Sequence, residues 1–431
     1  MAKYQLQYGR GVAEVEIPWE EVIGVIEPNH YEPRFSDQER IIRHALAHPI
    51  GTPPLDQIVS PGERVCVTVN DITRLTKSEV FVPIIIEELN RAGIPDKDIT
   101  ILFANGLHKA MTEGEMQRII GEEIYGRVNI VQHDGVNGDF TLVGTTSRGN
   151  KVYINKVVTD ADRVILTGGI ILHHLAGYGG GRKNIIPGVA HQETIFFNHR
   201  MMVDPRAEAG NIEGNPIHED VMEACGLVEP DFLFNVILDH QGEIAAAVAG
   251  HWREAHAAGC AIADELYKVP IGKLADIVIA SSGGYPKDID LRQSKKGYYH
   301  AARAVKPGGT IIAVAACEEG ISREGDPFAQ WLQDYRTLAE VREAMLQEFD
   351  IGGLNAYRTR EVQDRARLIL ISELDQKTMA DLGVETYGID RLQQVVDEVR
   401  AAAGARPTIY LMPQAGLTLP SLVTGTRACG A

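Results

Sequence analysis

The sequence predicts an α/β protein of two domains, each a mostly parallel sheet flanked by helices, with an active site in the cleft between them. Three observations carry this. Short apolar runs alternate with segments of helical period, and strands alternating with helices form parallel sheets covered on both faces. The 431 residues suffice for two or three separate cores. Polar and glycine-rich clusters follow several of the apolar runs, where ligands gather in such sheets.

In order, 4–17 alternates apolar and polar residues and reads as a hairpin. A Pro-rich connection over 28–33 leads to a helix over 36–47. Strands follow at 64–69, 99–103 and 128–132, separated by helices over 77–92 and 112–120. A strand over 163–167 runs into a glycine-dense loop. Helices over 191–202 and 217–225 precede a strand over 232–238. The amphipathic helix over 252–269 reads as a domain bridge. A second α/β series has strands at 276–280, 310–315, 368–371 and 408–412, and helices over 291–305 and 391–403. The expected division is a first domain over 1–270 and a second over 271–405. It leaves open a return of 406–431 to the first, and 417–431 reads as loosely held.

Composition excludes several classes. A net charge of −17 argues against a broad nucleic-acid surface. The longest uncharged run, 164–181, is too rich in glycine and histidine for a membrane span. The opening residues lack a basic-then-apolar signal segment. The five cysteines are scattered and form no Cys-x-x-Cys, a reduced intracellular pattern without a zinc site. The expectation is a cytoplasmic protein acting on a small molecule, with neither nucleic acid nor membrane as partner.

The loop after the strand over 163–167 is the densest chemical feature: Leu172-His173-His174-Leu175-Ala176-Gly177-Tyr178-Gly179-Gly180-Gly181-Arg182-Lys183-Asn184. Glycines let a backbone approach a bulky ligand, and histidine is suited to proton transfer near neutrality and to metal binding. The loop matches neither a P-loop, which needs Gly-Lys-Ser/Thr, nor G-x-G-x-x-G, which meets Arg182 at its third glycine. Two further clusters follow strands, Asn70-Asp71-Ile72-Thr73-Arg74 and Asn105-Gly106-Leu107-His108. Singly, Asp71 reads as a helix cap and His108 as a surface histidine; at adjacent strand ends they read as one site. Asn198-His199 lies on a helix. Arg292, Gln293, Lys295 and Lys296 follow the turn Gly283-Gly284-Tyr285-Pro286, where a helix start is a ready anion site. Lys295 and Lys296 also suit a solvated face.

These clusters, in this order, resemble the lactate racemase family, the nickel-pincer-nucleotide enzymes that racemise or epimerise α-hydroxy acids. The likeness runs from about Leu6 to about Leu417, and its most specific part is Ala176-Gly-x-x-Gly-Gly-Arg-Lys-x-Ile/Leu-Pro-Gly188. The resemblance implies two cofactors, nickel and pyridinium-3-thioamide-5-thiocarboxylic acid mononucleotide, the latter supplied by cofactor-biosynthesis proteins. It implies that Lys183 carries the nucleotide as a thioamide, that His199 ligates nickel, and that Asp71, Gly180 and Gly181 contact the cofactor. His108 and His173 would be the acid/base pair; Arg74, Gln293 and Lys296 would hold the substrate. His174 departs from the family pattern, which is aromatic there, and is expected to support its neighbour.

The implied reaction moves the α-hydrogen as hydride while a histidine takes the hydroxyl proton, giving a planar 2-keto acid that is refilled from the other face. Two histidines serve two enantiomers, and cations at the carboxylate hold the substrate. Arg292 stands where lactate enzymes have tyrosine. It either meets a second carboxylate, as in malate, or a polar hydroxylated chain, or it pairs with Asp288 or Asp290 and does not touch substrate. Lactate, malate and other short-chain 2-hydroxy acids remain as substrates. The rival classes are a nicotinamide-dependent 2-hydroxy acid dehydrogenase, disfavoured by the missing G-x-G-x-x-G, and a non-catalytic binder of a small anion.

Overall fold

The structure is a computed structural model that describes residues 1–74 and 76–423. Contacts divide it into two compact units, His30–Leu266 and a second unit made of Met1–Asn29 with Tyr267–Ala431.

The His30–Leu266 unit is built on a six-stranded sheet. Across it run Ile244–Gly250, Phe232–Leu238, Arg163–Gly169, Val65–Asn70, Ile99–Ala104 and Asn129–Gln132. All neighbours are parallel except the edge strand Ile244–Gly250, which is antiparallel to Phe232–Leu238. Residues of a strand face alternate sides. Val65, Val67 and Val69 accordingly enter one core with Phe81 and Ile85 of helix Ser78–Arg91, whereas Cys66 enters the opposite core with Ile195, Val221 and Trp252. Burying each such side chain contributes about 1.5–3 kcal/mol. Strand order reverses between Val65–Asn70 and Arg163–Gly169, because the chain runs outward through Ile99–Ala104 and Asn129–Gln132 and then returns to the other side. Such a switch point opens a crevice at the strands' carboxyl ends.

The other unit has its own six-stranded, wholly parallel sheet, in the order Glu385–Tyr387, Arg367–Ile371, Val305–Val314, Ala275–Ser281, Ile409–Met412 and Val22–Val25. The hairpin Ala2–Tyr8 with Gly11–Ile17 packs Leu6, Ala13, Val15 and Ile17 on this sheet and on helix Leu392–Ala403.

This division differs from the sequence-based one. The opening hairpin and Val22–Val25 belong with the second sheet, because the hairpin's alternating apolar face needs a sheet to cover. Ile409–Met412 pairs with Ala275–Ser281 and so stays in the same unit. Residues 424–431 of the expected loose tail lie outside the described residues.

The elements that were expected otherwise lie within a few residues of their expected positions, with one exception. The helix expected over 291–305 ends at Ala301, and Val305 already begins a strand. Elements not anticipated include the strands Val22–Val25, Ile244–Gly250 and Glu385–Tyr387 of the two main sheets, the hairpin Phe140–Thr145 with Lys151–Asn155, and the helices Phe328–Asp334, Leu338–Gln347 and Ile351–Arg365. The four described cysteines are buried and are thiols rather than disulfides. Among the described residues no helix is long and apolar enough to cross a membrane.

Candidate active site

The glycine-dense loop meets the switch point of the His30–Leu266 unit, and Asn184 fastens it there. Asn184 Nδ2 donates to Thr68 Oγ1 at 3.0 Å and to the Thr167 carbonyl at 2.7 Å, one partner on each strand flanking the reversal. Its Oδ1 accepts from Asn70 Nδ2 at 2.9 Å. From within, the fully buried Arg182 binds the carbonyls of Ala176, Tyr178 and Gly179 and the ring of His218. Arg182 is thus the loop's internal clamp. Gly180, at φ +112°, needs to be glycine because a Cβ would stand 2.8 Å from the His256 ring and 2.9 Å from Asn235 Oδ1. The N–H of Gly181 is spent on Asn235 Oδ1 at 3.0 Å. Both glycines therefore serve the loop's own packing; for the cofactor contact expected of them, the Gly181 N–H is already engaged.

Two bonded pairs emerge from this scaffold. Asp71, directly after Val65–Asn70, is 4% exposed and accepts a hydrogen bond from His108 Nδ1 at 2.8 Å. Its other oxygen accepts the Thr73 N–H at 2.7 Å. Burial works against the Asp71 carboxylate, but the His108 and Thr73 bonds and the Arg74 charge outweigh it and hold its pKa below the usual value. The main chain presents His108 through a bond from its N–H to the Asn105 carbonyl, while the Gly106 N–H binds the Gly188 carbonyl of the glycine loop.

The second pair is Lys183 Nζ with His173 Nε2, 3.0 Å apart. His173 Nδ1 accepts the N–H groups of Leu175 and Ala176, both at 3.2 Å. His174 stacks on His173 with ring centroids 5.0 Å apart, the supporting place expected of it. Loss of water around Lys183, then the charges of Arg74 and Arg182, push its pKa well below the usual lysine value. Desolvation, then Lys183, His174, Arg74 and His199, push His173 well below the usual histidine value. Arg74 itself is exposed.

His199 ends helix Gln192–His199. Desolvation, then the Lys183 charge, lowers its pKa to about 3 against a hydrogen bond to the Ile195 carbonyl, so it is a neutral imidazole at pH 7. The helix is pinned by its neighbour: Asn198 Nδ2 donates to Asp220 Oδ2 at 2.8 Å and to the Ile217 carbonyl at 3.2 Å. Asp220, fully buried, also takes Thr146 Oγ1 and Asn150 Nδ2. Asn184, Asn235 and Asp220 were missed as positioning groups. Asn184 was noted only for breaking a P-loop pattern.

Thus Asp71, Arg74, His108, His173, Lys183 and His199 are bonded to or electrostatically coupled with one another in one unit. Among the described residues no three His, Cys, Asp or Glu side chains gather to hold a metal. His199, a neutral imidazole, can give a metal one ligand.

Arg292, Gln293 and Lys296 lie on helix Leu291–Ala301 of the other unit. Asp290 caps this helix by accepting the Gln293 N–H at 2.6 Å. Asp288 Oδ2 accepts the N–H groups of Gly9 and Ala316 at 2.7 and 3.1 Å. Both carboxylates are thus engaged by the main chain, and Arg292 pairs instead with Asp326 at 2.9 Å, correcting the expected pairing with Asp288 or Asp290. Lys295 also departs from the solvated-face reading. It is buried, donates to the Arg292 carbonyl at 3.0 Å, and is pushed to about pKa 7 by desolvation, then by Lys296 and Arg292. Lys296 is exposed.

The lactate racemase N-terminal domain model matches residues 8–210 and the C-terminal domain model residues 272–415. A lactate racemase of Thermoanaerobacterium thermosaccharolyticum is 34% identical over 351 residues, covering 80% of this chain and 81% of that protein. One of Lactiplantibacillus plantarum is 33% identical over 370 residues, covering 85% and 84%. The solved lactate racemase apoprotein from T. thermosaccharolyticum superposes with a TM-score of 0.88 at 29% identity, over 97% of this chain and all of that one. A Thermotoga maritima protein shares the fold at a TM-score of 0.68 and 16% identity, over 92% of this chain and all of that one. The chain belongs to the lactate racemase family.

Proposed function

We propose that this protein racemises a small α-hydroxy acid, lactate or another short-chain 2-hydroxy acid, with a covalently held nickel-pincer nucleotide. The observation that carries the reading is the coupled set His108–Asp71 and His173–Lys183 at the switch point, with His199 beside it as a neutral imidazole. These residues fit the group. Lys183 presents an amine whose charge is disfavoured, suited to covalent attachment, and His199 can supply one metal ligand. When bound, the nucleotide and its nickel supply a hydride acceptor for the α-hydrogen.

The chain's own residues do the rest. His108, oriented by Asp71, and His173, oriented by the Leu175 and Ala176 N–H groups, exchange the hydroxyl proton, one for each enantiomer. Arg74, with Gln293 and Lys296, holds the carboxylate. Arg292 is paired with Asp326 at 2.9 Å, which weighs against its meeting a second substrate carboxylate such as that of malate. Cytoplasmic location and supply of the nucleotide by biosynthesis proteins belong to the same reading.

The test is conversion of enantiopure L-lactate in deuterium oxide by protein produced together with the cofactor-biosynthesis proteins. The proposal expects D-lactate whose α-position retains protium, because the hydrogen returns without meeting solvent. Deuterium at the α-carbon would indicate proton abstraction instead. Conversion that requires added NAD would favour the dehydrogenase reading.

A further inference from the structure

The bond between Lys183 and His173 has an unusual polarity. Nδ1 of His173 accepts two main-chain N–H groups, so it carries a lone pair and no proton. A neutral imidazole unprotonated at one nitrogen is protonated at the other. The proton is therefore on Nε2, which faces Lys183 Nζ at 3.0 Å. An ammonium group has three donors and no acceptor, and against Nε2–H it would set donor on donor. The contact is a hydrogen bond when Nε2–H donates into the lone pair of an uncharged amine.

We infer that His173 holds Lys183 as a free amine in the unloaded protein, making Lys183 a nucleophile at neutral pH. The surroundings agree. The charged groups acting on Lys183 are Arg74 and Arg182, both cations, and those acting on His173 are Lys183, His174, Arg74 and His199. All favour the neutral forms.

The use of that amine for attachment rests on the function proposed above. With a thiocarboxylic acid on the nucleotide, the Nζ lone pair forms the C–N bond and the C–O bond breaks. The oxygen leaves as water with one hydrogen from the amine and one from the thiol, and a thioamide remains. Its nitrogen lone pair is delocalised and no longer accepts from Nε2–H.

The experiment uses unloaded full-length protein and N-acetoxysuccinimide, a small ester that acylates free amines with loss of N-hydroxysuccinimide. Labelling rates of Lys183 and of the exposed Lys97 are read by peptide mass between about pH 7 and 9, where an ordinary lysine, far below its pKa, gains about ten-fold in rate per pH unit. The expected result is a rate for Lys183 that stays level across this range while Lys97 climbs. A Lys183 rate that climbs in parallel with Lys97, or no labelling of Lys183, overturns the inference. In His173→Phe the level region should begin at higher pH. An unchanged profile there would assign the free amine to desolvation and Arg74 alone, against a role for His173. Because no nucleotide is present, failure here is distinct from failure of the proposed reaction, which is read by the isotope test.

Discussion

At Asp71 one carboxylate serves two partners, fixing the turn through the Thr73 N–H and the His108 ring through its other oxygen. Asp71→Ala should lower kcat/KM of the loaded enzyme by roughly 10-fold or more, as expected when a group that aims a general base is lost. Removing His108 or His173 itself should cost on the order of 10²-fold or more. Enantiomers have an equilibrium constant of unity, so both losses must be equal in the two directions. Turnover near the wild-type level in any of these variants would remove that residue from the mechanism. The meeting of Asp71 and His108 was legible because both follow adjacent strands, where side chains can face one another and a ligand. The partner of Arg292 was not, because Asp326 is distant in sequence and nearer acids were on offer. Lys295 was misread for a similar reason: on a helix of polar residues, only packing decides which of two adjacent lysines is buried.

At the scale of elements, the helix Gln192–His199 presents His199 only because Asp220 grips it. Asp220→Ala would leave the donors of Thr146, Asn150 and Asn198 without their acceptor in a buried place, at about 1–3 kcal/mol for each unsatisfied group. The expected outcome is a fall of several kcal/mol in unfolding free energy by urea titration, together with weakened nickel retention. A variant as stable as wild type would show that the network does not position the helix. Strands were readable from the sequence because parallel strands buried on both faces are continuous apolar runs. Helix Ile351–Arg365 was not, because it is buried on nearly every side and includes Arg358 and Arg360. It therefore has no apolar stripe. Arg360 instead binds the carbonyls of Leu332, Tyr335 and Leu382, a use of arginine that mimics a polar surface in sequence.

At the scale of the molecule, several histidines are held neutral by burial, first by desolvation. His133 and His300 are lowered to about pKa 4, and His199 and His218 to about 3. Each has a folded pKa below its unfolded value near 6.5, so the unfolded chain binds the extra proton. Their stability contribution is complete above pH 6.5 and is lost as pH falls from there toward 3–4. Each adds a slope approaching about 1.4 kcal/mol per pH unit inside that window. The urea midpoint of the unloaded protein should thus fall steeply from pH 7 to 5, and a flat profile would show that these rings titrate normally. The two-unit plan was legible from the strand–helix rhythm. The recruitment of residues 1–29 to the second unit was not, because a hairpin's apolar face does not name the sheet it will cover.

The central claim, a covalently held nickel-pincer nucleotide on Lys183 with nickel on His199, is tested most directly by intact mass with nickel content. Wild type, Lys183→Ala and His199→Ala would each be produced together with the cofactor-biosynthesis proteins. The account predicts the nucleotide's mass and nickel on wild type, neither covalent mass nor retained nickel on Lys183→Ala, and the organic adduct with little nickel on His199→Ala. A nucleotide mass on Lys183→Ala equal to that on wild type, or a wild type that gains no mass, would contradict it.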